Sequence, residues 1–394
     1  MIPRAITPAL TALAQYYPVV VVTGPRQSGK ITLCKAAFPD HAYLSLEALD
    51  AREFANSDPR GLLAQYKRGV VLDEVQHAPA LLSYLQEEVD RDATPGRFVL
   101  TGSQHFSVGA AVAQSLAGRA GVLTLLPPAF SELRAFANAP ETLADALFMG
   151  AYPRIFDRSI PPERWLADYL TTYVQRDVRQ VLNVGNLEQF STFLRLCAGH
   201  TAQEVNLAQL GAKAGVSHNT ARAWLSVLEA SFIIQRLPAW HPNVRKQVVK
   251  APKMHFIDAG LACHLLGIRS AEQAWTHPLR GALFESWAVA EVLKGYLNQG
   301  TTPHLLHYRE ARGVEIDLLV EHAGDIDAIE MKSGATLASD WLLPFARVQA
   351  RLSGIDQGKQ LRSHLLYGGS DRHVRGGCEV LPWRDVGALV HMQM

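Results

Sequence analysis

Residues 19–22 are four valines in succession. An unbroken β-branched run, with no polar alternation, is the pattern of a strand covered on both faces. Thr23-Gly24 closes it, and a helix is expected to open at Gly29-Lys30 and run to 37. The pattern returns at 69–72, which runs into Asp73-Glu74, and at 97–103, which ends in small polar residues. A last strand is expected over 122–126, stopped by Pro127-Pro128. From 140 to about 237 the period turns helical. Within it, 207–214 and 218–228 flank Gly215-Val216-Ser217 as a helix-turn-helix. Ser217 is suited to cap the second helix, and Ala221, Trp224, Leu225 and Leu228 form its apolar face. Farther on, a helix is expected over 281–296 and strands over 305–309, 314–320 and 328–332, with residues after about 354 completing that sheet. The expectation is an α/β chain in three parts: 1–135 around the first sheet, 136–255 helical, and 256–394 around the second.

Composition adds limits. The 394 residues carry a net charge of +1, so a nucleic-acid surface has to be a local patch. Cys34, Cys197, Cys263 and Cys378 are far apart and form no CxxC pair, which argues against a zinc ribbon or a disulfide framework. With no apolar leader at the N-terminus and no run of about 18 apolar residues, no membrane partner is expected, and a cytoplasmic location is.

The chemistry begins after the first strand. Gly24-Pro25-Arg26-Gln27-Ser28-Gly29-Lys30 fits G-x-x-x-x-G-K, a loop whose backbone N–H groups and helix dipole cradle phosphates while the lysine neutralises the terminal ones. A glycine-rich turn without a ligand is the plain alternative. Asp73-Glu74 at the end of an apolar strand forms a Walker B pattern: Asp73 holds Mg²⁺ through water and Glu74 polarises the attacking water. Thr101, Ser103 or Gln104 is a candidate sensor of the γ-phosphate, with a simple strand-terminal turn as the plain alternative. Arg119 is either an arginine finger for a neighbouring subunit or the partner of an acid in its own domain.

These segments together resemble the AAA+ ATPases of bacteria and archaea that end in a C-terminal domain of unknown function. Gly150-Ala151-Tyr152-Pro153, Tyr173-Val174-Gln175-Arg176-Asp177-Val178 and Phe256-Ile257-Asp258-Ala259-Gly260-Leu261 continue the likeness. The resemblance implies ATP and Mg²⁺ as cofactors and a homo-oligomeric ring, expected to be hexameric. One position departs from it. Ile31 stands where P-loop proteins place the Ser or Thr whose hydroxyl ligates Mg²⁺, and Thr32 is turned away by about 100° of helix. Phosphate binding is expected to survive and hydrolysis to weaken.

In the middle region, His218, Asn219, Arg222 and Ser226 form the outward face of the second helix, a candidate DNA reader or a structural lid. The basic stretch 243–253 reads as a winged-helix wing for phosphates, or as an edge strand guarded by lysines. In the last part, Glu315-Ile316-Asp317 and Glu330-Met331-Lys332, with Glu285 from the preceding helix, resemble the PD-(D/E)XK nuclease core. That restriction-endonuclease-like likeness implies a Mg²⁺ or Mn²⁺ ion on Asp317, Glu330 and Glu285, with Lys332 activating water. The resulting expectation is an ATP-dependent DNA-processing motor or remodeller acting on branched or partly single-stranded DNA. The alternatives are a nucleotide-gated DNA-binding regulator that does not cut, or a nuclease whose ATPase half only senses nucleotide.

Overall fold

The computed structural model describes residues 2–102, 115–173, 187–241, 251–310, 314–322, 325–353 and 360–390. Ser103, Gln104, the basic residues between Asn243 and Lys250, and the segment following Tyr173 lie outside the described residues. The chain divides into two compact units. One comprises Met1–Pro128 with Ala230–Phe232 and Tyr296–Thr301; the other comprises Ala129–Glu229, Ile233–Gly295 and Thr302–Met394.

The first unit is built on β1 (Val19–Thr23), β2 (Ala42–Ser45), β3 (Val70–Asp73), β4 (Phe98–Gly102) and β5 (Ala120–Thr124), all parallel, in the order β2-β3-β4-β1-β5. As the sequence pattern required, β1, β3 and β4 are buried along their whole length. Alternation then sorts their side chains onto two faces. Val19, Val21, Val70, Leu72, Phe98 and Leu100 pack with Leu81, Leu85 and Val89 of helix Leu81–Arg91. Val20, Val22, Val71 and Val99 pack with Ile6 and Leu10 of helix Thr7–Tyr16 and with Leu33 and Cys34 of helix Lys30–Ala37. β4 lies between β3 and β1, so Thr23, Asp73 and Thr101 end side by side. β2 has no counterpart in the sequence reading: it is an edge strand, open at Ala42 and Tyr43, without a buried run to betray it.

In the second unit, helices Leu207–Ala214 and His218–Ala230 form the expected helix-turn-helix. Gly215 ends the first with φ 72°, a left-handed conformation natural to glycine, and Ser217 Oγ accepts from Thr220 N at 3.1 Å. Trp224 packs edge-on against Phe190 and Phe193. The region is not wholly helical, however. β6 (Gln203–Glu204) and β7 (Ile234–Leu237) flank β8 (Lys253–Phe256) in a small antiparallel sheet. Contrary to the sequence expectation, Lys253 does not belong to a solvated basic edge but is buried at the start of the central strand.

The larger sheet joins β9 (His304–Arg309), β10 (Glu315–Glu321), β11 (Asp325–Lys332), β12 (Gln360–Tyr367), β13 (His373–Arg375) and β14 (Cys378–Pro382) in the order β13-β14-β12-β11-β10-β9. β9, β10 and β11 are antiparallel neighbours, while β12 runs parallel to β11 and to β14.

Two of the sequence motifs interlock in this unit. The Asp258 carboxylate accepts from Ala151 N at 2.7 Å and, as the cap of helix Ala259–Leu265, from Leu261 N at 2.8 Å. Gly150 has φ 67° and Gly260 lies against its backbone, where a Cβ would fall 2.6 Å from Gly150 N. All four cysteines are free and buried. Among the described residues no helix is long and apolar enough to cross a membrane.

Candidate functional site

The loop after β1 turns on positions that few side chains tolerate. Gly24 has φ 144°, and a Cβ there would stand 2.1 Å from the Leu125 carbonyl oxygen. Gln27 and Gly29 also have positive φ, at 63° and 95°. Arg4 braces the loop from outside, donating to Ser28 O and to Leu126 O, each at 2.9 Å. Pro25 is buried, Arg26 half-buried and Gln27 exposed. Lys30 opens its helix and folds its amine back on the loop, donating to Gly24 O at 3.0 Å and Pro25 O at 2.8 Å. Ser28 Oγ is fully buried without a hydrogen-bond partner among the described residues. A buried hydroxyl without a partner beside a curled backbone and a buried amine suits a phosphate group.

Burial lowers Lys30 to a pKa of about 8, against the pull of Glu74 and Asp73. Phosphate favours the charged amine. Above about pH 8 the free protein must therefore take up a proton to bind nucleotide, so affinity falls by up to roughly tenfold per pH unit. A labelled-ATP titration from about pH 7.5 to about 9.5 measures this; a flat profile would mean that Lys30 stays charged.

The metal side of the site is different. Ile31 and Thr32 are both exposed on the first turn of the helix, and Ile31 offers no oxygen. Asp73 is buried, and both its carboxylate oxygens are engaged: Oδ1 accepts from Thr101 Oγ1 and Oδ2 from Tyr43 OH at 2.9 Å. Tyr43 itself is covered by the Lys35 amine, 3.5 Å from the ring centroid. Glu74 adopts a left-handed conformation, φ 55° and ψ 51°, which costs a non-glycine residue about 1 kcal/mol or more. Its carboxylate accepts from Gln76 Nε2. Arg119 makes a two-pronged pair with Asp90 of its own unit, at 2.5 and 3.0 Å.

A second polar cluster gathers in the other unit. The register Leu318↔Ile329 sets Asp317 beside Glu330 across the antiparallel pair. The pairing of β10 with β9 shifts register between Ile316 and Leu319, the stretch that holds Asp317. Lys332 Nζ lies 2.7 Å from Glu330 Oε2 and 3.9 Å from Asp317 Oδ2. Glu285 comes in from helix Arg280–Asn298, as the sequence expected. Lys253, however, stands among these acids. Its amine is 2.9 Å from Glu285 Oε1 and 3.8 Å from Asp317 Oδ1, and it pairs with Glu315 as well. Burial and then the Asp317 charge push Glu330 up to about 8, and the same causes raise Glu285 well above the usual carboxylate range. Burial alone would lower Lys253, but Glu285, Asp317 and Glu315 outweigh it and hold the amine charged. Among the described residues, no three His, Cys, Asp or Glu side chains form a group that suits a metal ion. The divalent ion expected on Glu285, Asp317 and Glu330 does not fit this arrangement. On the helix-turn-helix, His218, Asn219 and Arg222 are exposed and Ser226 is half-buried.

Residues 16–134 match the family described as AAA domain. Residues 140–272 match one domain of unknown function, DUF8612, and residues 280–386 another, DUF4143. The uncharacterized proteins Rv2008c of Mycobacterium tuberculosis and Mb2031c of Mycobacterium bovis are each 30% identical to this chain over 329 residues, covering 81% of it and 71% of themselves. This chain belongs to the Rv2008c family. Its P-loop unit is an AAA-type ATPase domain, in line with the resemblance read from the motifs, and the C-terminal part is matched only as a domain of unknown function. Solved structures with a similar fold include the following two. The Walker-type ATPase paby2304 of Pyrococcus abyssi is 15% identical over 66% of this chain and 94% of its own, with a TM-score of 0.45. AMPPCP-bound DnaA from Aquifex aeolicus is 14% identical over 57% of this chain and 85% of its own, with a TM-score of 0.30.

Three residues of the two clusters escaped the sequence reading of this Rv2008c-family chain. Tyr43 lies on the unrecognised edge strand, whose exposed pattern gave no signal of the site. Glu315 was read with its strand but given no partner. Lys253 belongs to the stretch matched by DUF8612, yet it pairs with acids in the stretch matched by DUF4143. A lysine two residues from His255 on an otherwise apolar strand was its one local signal.

Proposed function

We propose that this chain is a slow, nucleotide-gated DNA-binding protein, in which the AAA domain acts as a switch more than as a motor. The reading is carried by the nucleotide site: the loop and Lys30 suit a triphosphate, while Ile31 withholds the Mg²⁺ hydroxyl and Asp73 is held by Thr101 and Tyr43. Mg²⁺, when bound with ATP, supplies charge neutralisation at the phosphates, and Asp73 is the residue left to hold it. Glu74 orients the attacking water. Slow turnover lengthens the ATP-bound state, which suits gating. DNA contact is assigned to His218, Asn219, Arg222 and Ser226, with the basic stretch 243–250 as phosphate contacts. Assembly into a homo-oligomeric ring, with six subunits as the expected number, remains part of the proposal, and Arg119 serves as its finger only if the Asp90 pair opens.

The test is fluorescence anisotropy on branched and partly single-stranded DNA, with and without a slowly hydrolysed ATP analogue. Gating predicts an affinity change of about tenfold, within the usual range of allosteric coupling. The change is lost in Lys30→Ala, and binding itself is weakened in Arg222→Ala. Equal affinity with and without nucleotide overturns the reading. The DNA-cutting alternative draws on Asp317, Glu330, Lys332 and Glu285, but the position of Lys253 weighs against it.

A further inference from the structure

We propose that the ammonium group of Lys253 takes the place of a divalent metal ion in the cluster of Glu285, Glu315 and Asp317, so that the C-terminal domain is locked by an internal cation and removal of that cation opens a metal site. The proposal is independent of the nucleotide-gated reading above.

The geometry is that of an ammonium. Lys253 Nζ lies 2.9 Å from Glu285, bonds Glu315 and stands 3.8 Å from Asp317. Oxygen ligands close to about 2.0–2.6 Å around Mg²⁺ or Ca²⁺ and complete a shell of six or more. Charge-assisted N–H···O bonds sit at about 2.7–2.9 Å, and an amine has only three protons to give. Two of those protons go to Glu285 and Glu315, and Asp317, at 3.8 Å, faces the ammonium as a charge without a hydrogen bond.

The amine is also held in place. Its side chain is 3% exposed. Its backbone is paired on both sides, with Glu204 of β6 and Leu237 of β7. A lysine on an exposed loop swings away when a dication approaches; one on the central strand of a sheet has little room to do so. A dication within about 4 Å of a fixed ammonium is repelled by it. Glu330, the remaining acid, already accepts from Lys332 at 2.7 Å. Two lysines thus serve four carboxylates, and the acids expected to bind metal are spent on them.

The test is Mn²⁺ binding to the full-length, nucleotide-free protein, followed by electron paramagnetic resonance. The wild type is expected to bind weakly. Lys253→Ala tightens Mn²⁺ binding by at least about tenfold, a difference of about 1.4 kcal/mol, and adding Asp317→Asn cancels the gain. Lys253→Met, which keeps the packing, serves if the alanine variant misfolds. A further measurement needs no variant: in the native protein, Lys253 stays unreacted toward an amine-acylating reagent with or without Mn²⁺, as read by peptide mass spectrometry. The proposal is overturned if the wild type binds Mn²⁺ as tightly as Lys253→Ala and loses it with Asp317→Asn. It is equally overturned if neither lysine variant gains binding, or if Mn²⁺ exposes Lys253 to acylation. None of these outcomes touches the ATP and DNA measurements that decide the gating reading.

Discussion

Ile31→Thr turns over ATP at least about tenfold faster than the wild type, while nucleotide affinity measured in chelator stays the same. Tenfold corresponds to about 1.4 kcal/mol of barrier, a modest fraction of what charge stabilisation at a transferring phosphoryl group is worth. The threonine hydroxyl adds an oxygen one residue beyond Lys30, beside the loop, where the metal of a P-loop site takes a direct ligand. Phosphate contacts from the loop backbone and Lys30 are unchanged by the swap, which is why affinity without metal holds. The exchange is also structurally cheap, because Ile31 is 37% exposed and lies in the first turn of its helix. Steady-state phosphate release on the two proteins decides the matter. Identical turnover would mean that Asp73, with Tyr43 and Thr101 on its oxygens, already places the metal as well as a threonine can. Lys30→Ala is the companion control and abolishes binding.

Asp258→Ala lowers stability by roughly 3 kcal/mol, and Asp258→Asn by about half as much. The carboxylate is buried and accepts from two backbone N–H groups that belong to distant segments, at Ala151 and Leu261. Alanine leaves both donors unpaired in a space that water does not reach, and it removes a helix cap. Asparagine keeps one acceptor oxygen. Burial, the largest influence on this group, disfavours its charged form, so loss of charge as such is not what the alanine variant suffers from. Urea denaturation followed by tryptophan fluorescence reads the difference. A midpoint for Asp258→Ala within error of the wild type would reduce the clamp to a passive contact.

What the sequence disclosed follows from where each constraint lies along the chain. Val19–Thr23, the loop after it and helix Lys30–Ala37 are contiguous, so composition alone exposes them. The helix-turn-helix is likewise local: Gly215 and Ser217 mark its turn, and one apolar stripe marks its second helix. Lys332 and Glu330 are two residues apart on one strand, and alternation was enough to pair them. Lys253 meets Glu285, Glu315 and Asp317 only through tertiary packing, and no pattern in its own neighbourhood announces acids so far along the chain. In the P-loop unit, the absence of a serine or threonine at Ile31 was visible at once, but Tyr43 on the Asp73 carboxylate was not, since an exposed edge strand has no hydrophobic signature. The left-handed backbone at Glu74 is a conformation that sequence seldom reveals when the residue is not glycine.

The interior location of the cysteines has a practical reach beyond stability. Burial pushes the thiols of Cys34 and Cys378 up to about 12 and those of Cys197 and Cys263 higher still. Because the thiolate is the reactive species, the folded chain is close to inert toward maleimides and mild oxidants. The wild type is thus already a blank background for site-directed labelling. A single cysteine placed at Arg222 would carry a spin or fluorescent probe on the helix-turn-helix without any native thiol having to be removed. Turned around, slow labelling of the native four becomes a clock for opening: Cys34 times the release of the P-loop helix, and Cys263 the release of the helix that Asp258 caps, each recorded in the same sample by mass.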